Sequence, residues 1–173
     1  MENSAKRDVY YTEKAWKKWK ENDSFIEGIS KYNSDLIIQF LEDFEEGINV
    51  PKTCKGRRSP IRLITLKSKL TTFCRFVNNK DLDKLTKEEI HNLFKRLRTG
   101  EIKKRNQKGE ETEPYKSVDN ILKDFRSLWN WLLKTKRVKE DITEELGKED
   151  EKPAWVYLTE EQFKTFANRA NSE

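Results

Sequence analysis

The sequence predicts an all-α protein, a bundle of four to five helices with an acidic linker and one additional C-terminal helix. Apolar residues recur at helical spacing along most of the chain, whereas the strict alternation typical of β-strands is almost absent. Two capping boxes and one proline at a first helical turn mark helix starts. The 173 residues suit one domain with an appendage. We expect an N-terminal extension, a helical domain, a linker and the start of a further domain, at residues 1–23, 24–139, 140–156 and 157–173 respectively.

The N-terminal half contains one weak helical pattern, over Tyr11–Trp19, and two stronger ones. The first strong helix is predicted to be capped at Asn33-Ser34-Asp35 and closed by Gly47, because the apolar residues between them share one face. The second is predicted over residues 60–77. It begins with Pro60, whose missing N–H costs nothing in the first turn of a helix.

The next helix is predicted from a capping box in which Thr86 and Glu89 satisfy each other's backbone N–H, and it ends near Gly100. Residues 101–114 form a polar insertion that could make a short hairpin turning at Lys108-Gly109.

The longest helix is predicted over residues 116–138, where large apolar side chains form a wide stripe. Trp131 falls nearly opposite that stripe, and we expect it to pack on an N-terminal element rather than to stack on a base. Beyond an acidic stretch, Thr159 and Gln162 repeat the capping-box pattern and predict one more helix start.

Charge is segregated along the chain. No acidic residue occurs from Gly47 to Lys80, a window that holds nine basic ones. The predicted helix over 35–46 is the reverse, with five acids and no base. A second basic cluster lies in the 101–114 insertion, and the outward face of the 116–138 helix carries bases and hydrogen-bonding side chains. Because interspersed signs would serve solubility better, this segregation favours a polyanionic partner.

A single basic helix face is usually only solvated surface, so it is the coincidence of the three clusters that favours nucleic acid. Lysine and arginine bind phosphates, while asparagine can also read base edges in the major groove. The candidate DNA-binding residues are Lys55, Arg57, Arg58, Arg62, Lys69, Lys103, Lys104, Arg105, Lys116, Asn120, Lys123 and Ser127.

No residue pattern suits a catalytic or metal site. Cys54 and Cys74 lack zinc-like spacing and fit free thiols in a reducing compartment. His91 is the single histidine, which nearly excludes His-dependent metal sites, and Asp81 and Asp83 suit turn chemistry. We expect no enzyme activity, no metal and no cofactor in this chain. No apolar run is long enough to span a bilayer and the N-terminus lacks the core of a signal peptide, so we expect a cytoplasmic protein with no membrane or small-molecule partner.

The order of these elements resembles the N-terminal core-binding domain of the tyrosine recombinases, the phage-type integrases. The phrases that carry the resemblance are, in order, SPIRLITLKSKLTTFCRFV, DLDKLTKEEIHNLFKRL and KSVDNILKDFRSLWNWLLKTKRV. The stretch EGISKYNSDLIIQFLEDFEEG is most similar to archaeal and archaeal-virus integrases, and the linker with VYLTEEQFKTF resembles the opening of their catalytic domain. The resemblance covers about residues 24–170.

This resemblance implies a SAM-like bundle that forms half of a clamp around duplex DNA at the crossover core site, alongside other recombinase protomers. It implies that the helices over 60–77 and 116–138 face the major groove. It further implies that the catalytic Arg, Lys, His and nucleophilic Tyr belong to a catalytic domain outside this sequence, since Tyr157 stands at that domain's entrance and the family's nucleophile comes near its end. The insertion at 101–114 departs from the family pattern, in which many members have a short turn, and leaves that connection open.

Two other classes of protein stay open. One is a helical protein-interaction adaptor that docks through the acidic helix and through the terminal helix, whose apolar face comprises Phe163, Phe166, Ala167 and Ala170. The other is a stand-alone DNA-binding regulator without recombinase activity.

Overall fold

The computed structural model describes residues 12–21, 25–49, 58–106, 108–147, 159–162 and 164, and these are mostly helical with one small sheet. The expectation of a mostly helical protein is therefore confirmed. The elements are, in chain order, α1 (Thr12–Glu21), α2 (Lys31–Glu46), α3 (Pro60–Phe76), a single 3-10 turn (Leu82–Lys84), α4 (Lys87–Arg98), β1 (Lys103–Arg105), β2 (Glu111–Pro114) and α5 (Val118–Lys134). No helix in the described segments is long and apolar enough to cross a membrane.

Helix α3 is the centre of the bundle, because it packs against α1, α2 and α5 while α4 packs on α5. Its inward face is fully buried, and at the middle of the core the ring of Phe73 stacks on Phe125 with centroids 4.3 Å apart. Phe94 of α4 and Trp129 of α5 complete an aromatic cluster around this pair. The single core fixes the relative positions of α3 and α5, the two helices that carry five of the twelve candidate DNA-binding residues.

The start predicted for α2 is wrong by about one turn. The helix begins at Lys31 and is capped by Ser30, whose side chain accepts a hydrogen bond from the N–H of Asn33. Asn33 and Ser34 resemble caps in the sequence but lie buried inside the helix. Their short polar groups bind other segments instead: Asn33 donates to the carbonyls of Asn79 and Lys80, and Ser34 accepts from Ile26 N–H.

Four other predicted helix boundaries are confirmed. Pro60 is the first residue of α3, and Gly47 closes α2 with a φ of 74°, in the left-handed region that glycine tolerates best. Both hydrogen bonds of the capping box between Thr86 and Glu89 are present at the start of α4. The bonds of the second capping box also form, between Thr159 and Gln162. The apolar face predicted further on, at 163–170, lies outside the residues whose side chains are described.

The insertion at 101–114 is a short hairpin, as predicted. Strands β1 and β2 pair antiparallel with an irregularity between Lys103 and Arg105, and Gly109 turns the chain with a φ of 83°. The Asn106 carboxamide braces this turn by accepting from the N–H groups of Lys108 and Glu110. Helix α5 is shorter than predicted at both ends: it begins at Val118, so Lys116 precedes it, and Lys136 takes a left-handed conformation just beyond its last residue.

Residues 140–147, at the start of the predicted linker, pack against the bundle. Arg126 of α5 donates to the carbonyls of Thr143 and Leu146, and the indole N–H of Trp129 donates to the carbonyl of Glu140 at 2.9 Å. Ile142 is buried as well. The packed helical body therefore extends to residue 147, while the division of the chain into domains stays a prediction.

Candidate nucleic-acid interface

The outward side of α3 carries no acidic residue. Its exposed and half-exposed positions hold Ile61, Thr65, Ser68, Thr72 and Arg75, spaced three and four residues apart. Two of the hydroxyls are tied to their own helix, since Thr65 donates to the carbonyl of Ile61 at 2.7 Å and Thr72 to that of Ser68 at 3.0 Å. Such short, fixed side chains allow another molecule to approach the helix closely.

Arg62 and Lys69 lie along the seam between α3 and α5, where both bind the same carboxylate. Arg62 Nη2 is 2.6 Å from Asp124 Oδ1, and Lys69 Nζ is 2.8 Å from Oδ2. Asp124 is almost fully buried, whereas the two cationic side chains are 35% and 41% exposed. The structure thus places two residues predicted to bind phosphate side by side, and it pairs both of them with the carboxylate of Asp124.

Sequence reasoning missed Asp124 as a member of this site. It stands one position before Phe125, at the edge of the apolar stripe, where a carboxylate is unfavourable unless it is paired. One signal could have identified Asp124: it is an acidic residue within the apolar face of its helix, in a chain whose 47–80 segment has no acidic residue.

The predicted contacts on α5 lie beside this seam. Asn120 and Ser127 stand four residues before and three after Asp124, so they occupy the same side of the helix. Lys123 is exposed, and no ion pair joins it to another residue in the described segments. Its full charge is therefore available to solvent or to a ligand.

The hairpin presents two kinds of cation. Lys103, Arg105 and Lys108 are exposed, whereas Lys104 and Lys116 both pair with Glu113, at 2.9 and 2.8 Å. The two hydrogen-bonded ammonium groups lower the pKa of Glu113 to about 2, with Lys116 the larger influence. Two of the predicted contacts in this region, Lys104 and Lys116, thus share an acidic neighbour.

Arg58 lies two residues before the start of α3, and its guanidinium packs over the ring of Phe44, 5.0 Å from the ring centroid. Its Nε and Nη2 atoms are buried and donate no hydrogen bond to any described residue. The other two predicted contacts in this loop, Lys55 and Arg57, lie outside the described residues.

On the opposite flank of α3, Lys67 stands over the ring of Trp19, with Nζ 4.0 Å from the centroid. Burial in this contact lowers the pKa of Lys67. Phe25, 47% exposed, lies at the same groove, as does Arg75. The acid-free surface of α3 is therefore bordered by cations on both sides.

The two aspartates considered for chemistry, Asp81 and Asp83, have structural partners. Asp83 accepts the hydroxyl of Tyr32 at 2.5 Å, and Asp81 pairs with Lys84 at 2.6 Å in the 3-10 turn. Cys74 is fully buried, and burial raises the pKa of its thiol to about 12. His91 is half-buried on α4, and Tyr157 lies outside the described residues.

No family model matches the chain, and neither the curated proteins nor the solved structures contain a significant match to it.

Proposed function

We propose that this helical domain binds duplex DNA through the outward surface of α3 and the adjoining side of α5. The acid-free face of α3, bordered by Arg62, Lys69, Lys67 and Arg75, is the observation that carries the proposal. Affinity for duplex DNA comes mainly from cations that neutralise phosphates. The major groove is about 12 Å wide and accepts an α-helix. Short hydroxyl side chains along α3 suit such an approach, and Asn120 on α5 supplies a group able to read a base edge.

Within this proposal the domain is the core-binding part of a tyrosine recombinase, a SAM-like bundle without catalytic residues of its own. The support is the order of its helices, the pairing of two central helices at one basic surface, and the capping box at Thr159. Reading the gene downstream of residue 173 tests this part separately, because a catalytic domain with Arg, Lys, His and a late Tyr is expected there.

The adaptor hypothesis has less support from the geometry. Two of the five acids on α2 serve inside the protein: Asp43 accepts the indole N–H of Trp131, and Glu45 is buried and paired with Lys20 at 3.1 Å. The acidic surface available to a protein partner is correspondingly reduced.

Fluorescence anisotropy with a labelled random duplex of about 30 base pairs, at several salt concentrations, tests DNA binding. We expect micromolar or tighter binding at low salt that falls steeply between about 50 and 200 mM salt. Lys123→Ala should reduce the slope of log K against log salt by about 0.9, the value for one lost phosphate contact.

The matched control is Lys95→Ala, which removes an equal charge from the exposed side of α4. It should leave the slope nearly unchanged. Absence of binding at low salt, or equal effects of the two substitutions, would contradict the proposed interface.

A further inference from the structure

We propose that Asp124 is a positioning residue that limits the charge the α3–α5 surface presents to DNA. The inference rests on the proposed function and deepens it, since it identifies what sets the affinity. Both Arg62 and Lys69 are bound to this one buried carboxylate, and both keep more than a third of their side chains exposed. Asp124 thus fixes where the two cations stand and cancels one of their two charges.

The two contacts with Asp124 differ in kind. Arg62 Nη2 donates a hydrogen bond to Oδ1 at 2.6 Å. Lys69 Nζ lies 2.8 Å from Oδ2, which nevertheless accepts no hydrogen bond of acceptable geometry. Lys69 is therefore held chiefly by charge, and a lysine has a flexible stem with three freely oriented donors. A DNA phosphate near the seam would draw Lys69 away before Arg62.

Phosphate and Asp124 compete for the same ammonium group. A cation that leaves a carboxylate to bind DNA gains less than one that leaves water, because one ion pair replaces another. Lys123, which has no such pair in the described segments, should contribute a full contact. Arg62 and Lys69 together should contribute about one contact instead of two.

The test is the duplex-binding measurement, made on the full chain with Asp124→Asn. The amide keeps the size of the side chain and can still accept from Arg62, while it no longer attracts Lys69. We expect affinity for a random duplex to rise by about three- to tenfold and the salt slope to steepen by about 0.9.

The matched control is Asp119→Asn, which raises the net charge equally and lies on the same helix. Asp119 pairs with Arg98 at 3.5 Å, on the side of α5 that faces α4. Its effect should be under twofold. Equal gains from the two substitutions would mean that only net charge matters and would overturn the inference.

A second comparison covers the case in which Asp124→Asn does not fold. In the otherwise unchanged chain, Lys123→Met should lower the salt slope by about 0.9, and Lys69→Met by less than half of that. Equal losses would also overturn the inference. If the unsubstituted chain does not bind the duplex at all, the proposed function itself is refuted. Failure of the inference about Asp124 and failure of the proposed function are therefore distinguishable.

Discussion

The indole N–H of Trp131 donates a hydrogen bond to Asp43 Oδ2 at 2.8 Å and so ties α5 to α2 across the bundle. The Trp131 ring packs on Phe40 with centroids 5.6 Å apart, and the guanidinium of Arg137 covers it at 5.4 Å. An aromatic residue that stands away from the main apolar stripe is thereby fully buried. The expectation that Trp131 packs on an N-terminal element is confirmed, and the element is α2.

Trp131→Phe should lower the free energy of unfolding by about 1–3 kcal/mol. The substitution removes one buried hydrogen bond and part of a packed ring. Urea denaturation followed by circular dichroism measures the change. Trp19→Phe is the matched control, because Trp19 is half-buried and its own bond to the Phe25 carbonyl is long, at 3.4 Å. A loss at Trp19 as large as that at Trp131 would contradict this assignment.

Asn33 joins α2 to the segment before α4, and its replacement by Asp should destabilise the fold. The carboxamide donates to the carbonyls of Asn79 and Lys80 and accepts the N–H of Leu82. An aspartate would place a buried charge against those carbonyls and lose both donors, at a cost of about 2–4 kcal/mol.

Thermal and urea denaturation of Asn33→Asp at neutral pH provide the measurement. Asn92→Asp makes the same chemical change at an exposed position of α4 and should stay within about 0.5 kcal/mol of the unsubstituted protein. Comparable effects at the two positions would show that Asn33 is not a buried bridge.

Glu113 should titrate far below the other glutamates. Its pairs with Lys116 and Lys104 depress its pKa from the usual 4.5 to about 2. Because the pKa in the folded state is lowered, the stabilisation is present above pH 4.5 and is lost as pH falls toward 2. Carboxyl-carbon chemical shifts recorded against pH give the value directly. In a double Lys104→Met, Lys116→Met variant the pKa should return to its ordinary range, and an unchanged low value would rule out this cause.

Thr86→Ala should destabilise the protein by about 1 kcal/mol, because the threonine hydroxyl caps α4 by accepting the N–H of Glu89. Thr86→Ser keeps the hydroxyl and should cost only a few tenths of a kcal/mol. The midpoint of urea denaturation distinguishes the two variants. If both lose the same stability, the methyl group rather than the cap is responsible.

Much of the fold could be predicted from local sequence signals. Apolar periodicity located the helices, and the capping boxes at Thr86 and Thr159, the proline at the start of α3 and Gly47 fixed ends that are set by nearby backbone chemistry. The start of α2 could not be predicted in this way. Asn33 and Ser34 have the chemistry of caps, and only distant carbonyl and N–H groups determine that they serve as buried bridges.

The candidate site was predictable in its charge but not in its pairing. The acid-free window pointed to α3, yet nothing local shows that Arg62 and Lys69 converge on Asp124, since the contact depends on how α3 packs against α5. The packing of residues 140–147 was missed for a similar reason. Arg126 binds main-chain carbonyl groups there. Because every residue has a carbonyl group, the sequence does not indicate which ones a side chain will bind.

Amide chemical-shift mapping of the isotope-labelled chain, titrated with a duplex of about 30 base pairs at low salt, tests the proposed interface most directly. We predict that the largest changes fall on the outward positions of α3, from Ile61 to Arg75, and on α5 from Asn120 to Ser127. Small or no changes are expected on α2. Changes centred on the acidic face of α2, or none at DNA concentrations that saturate the anisotropy signal, would contradict it.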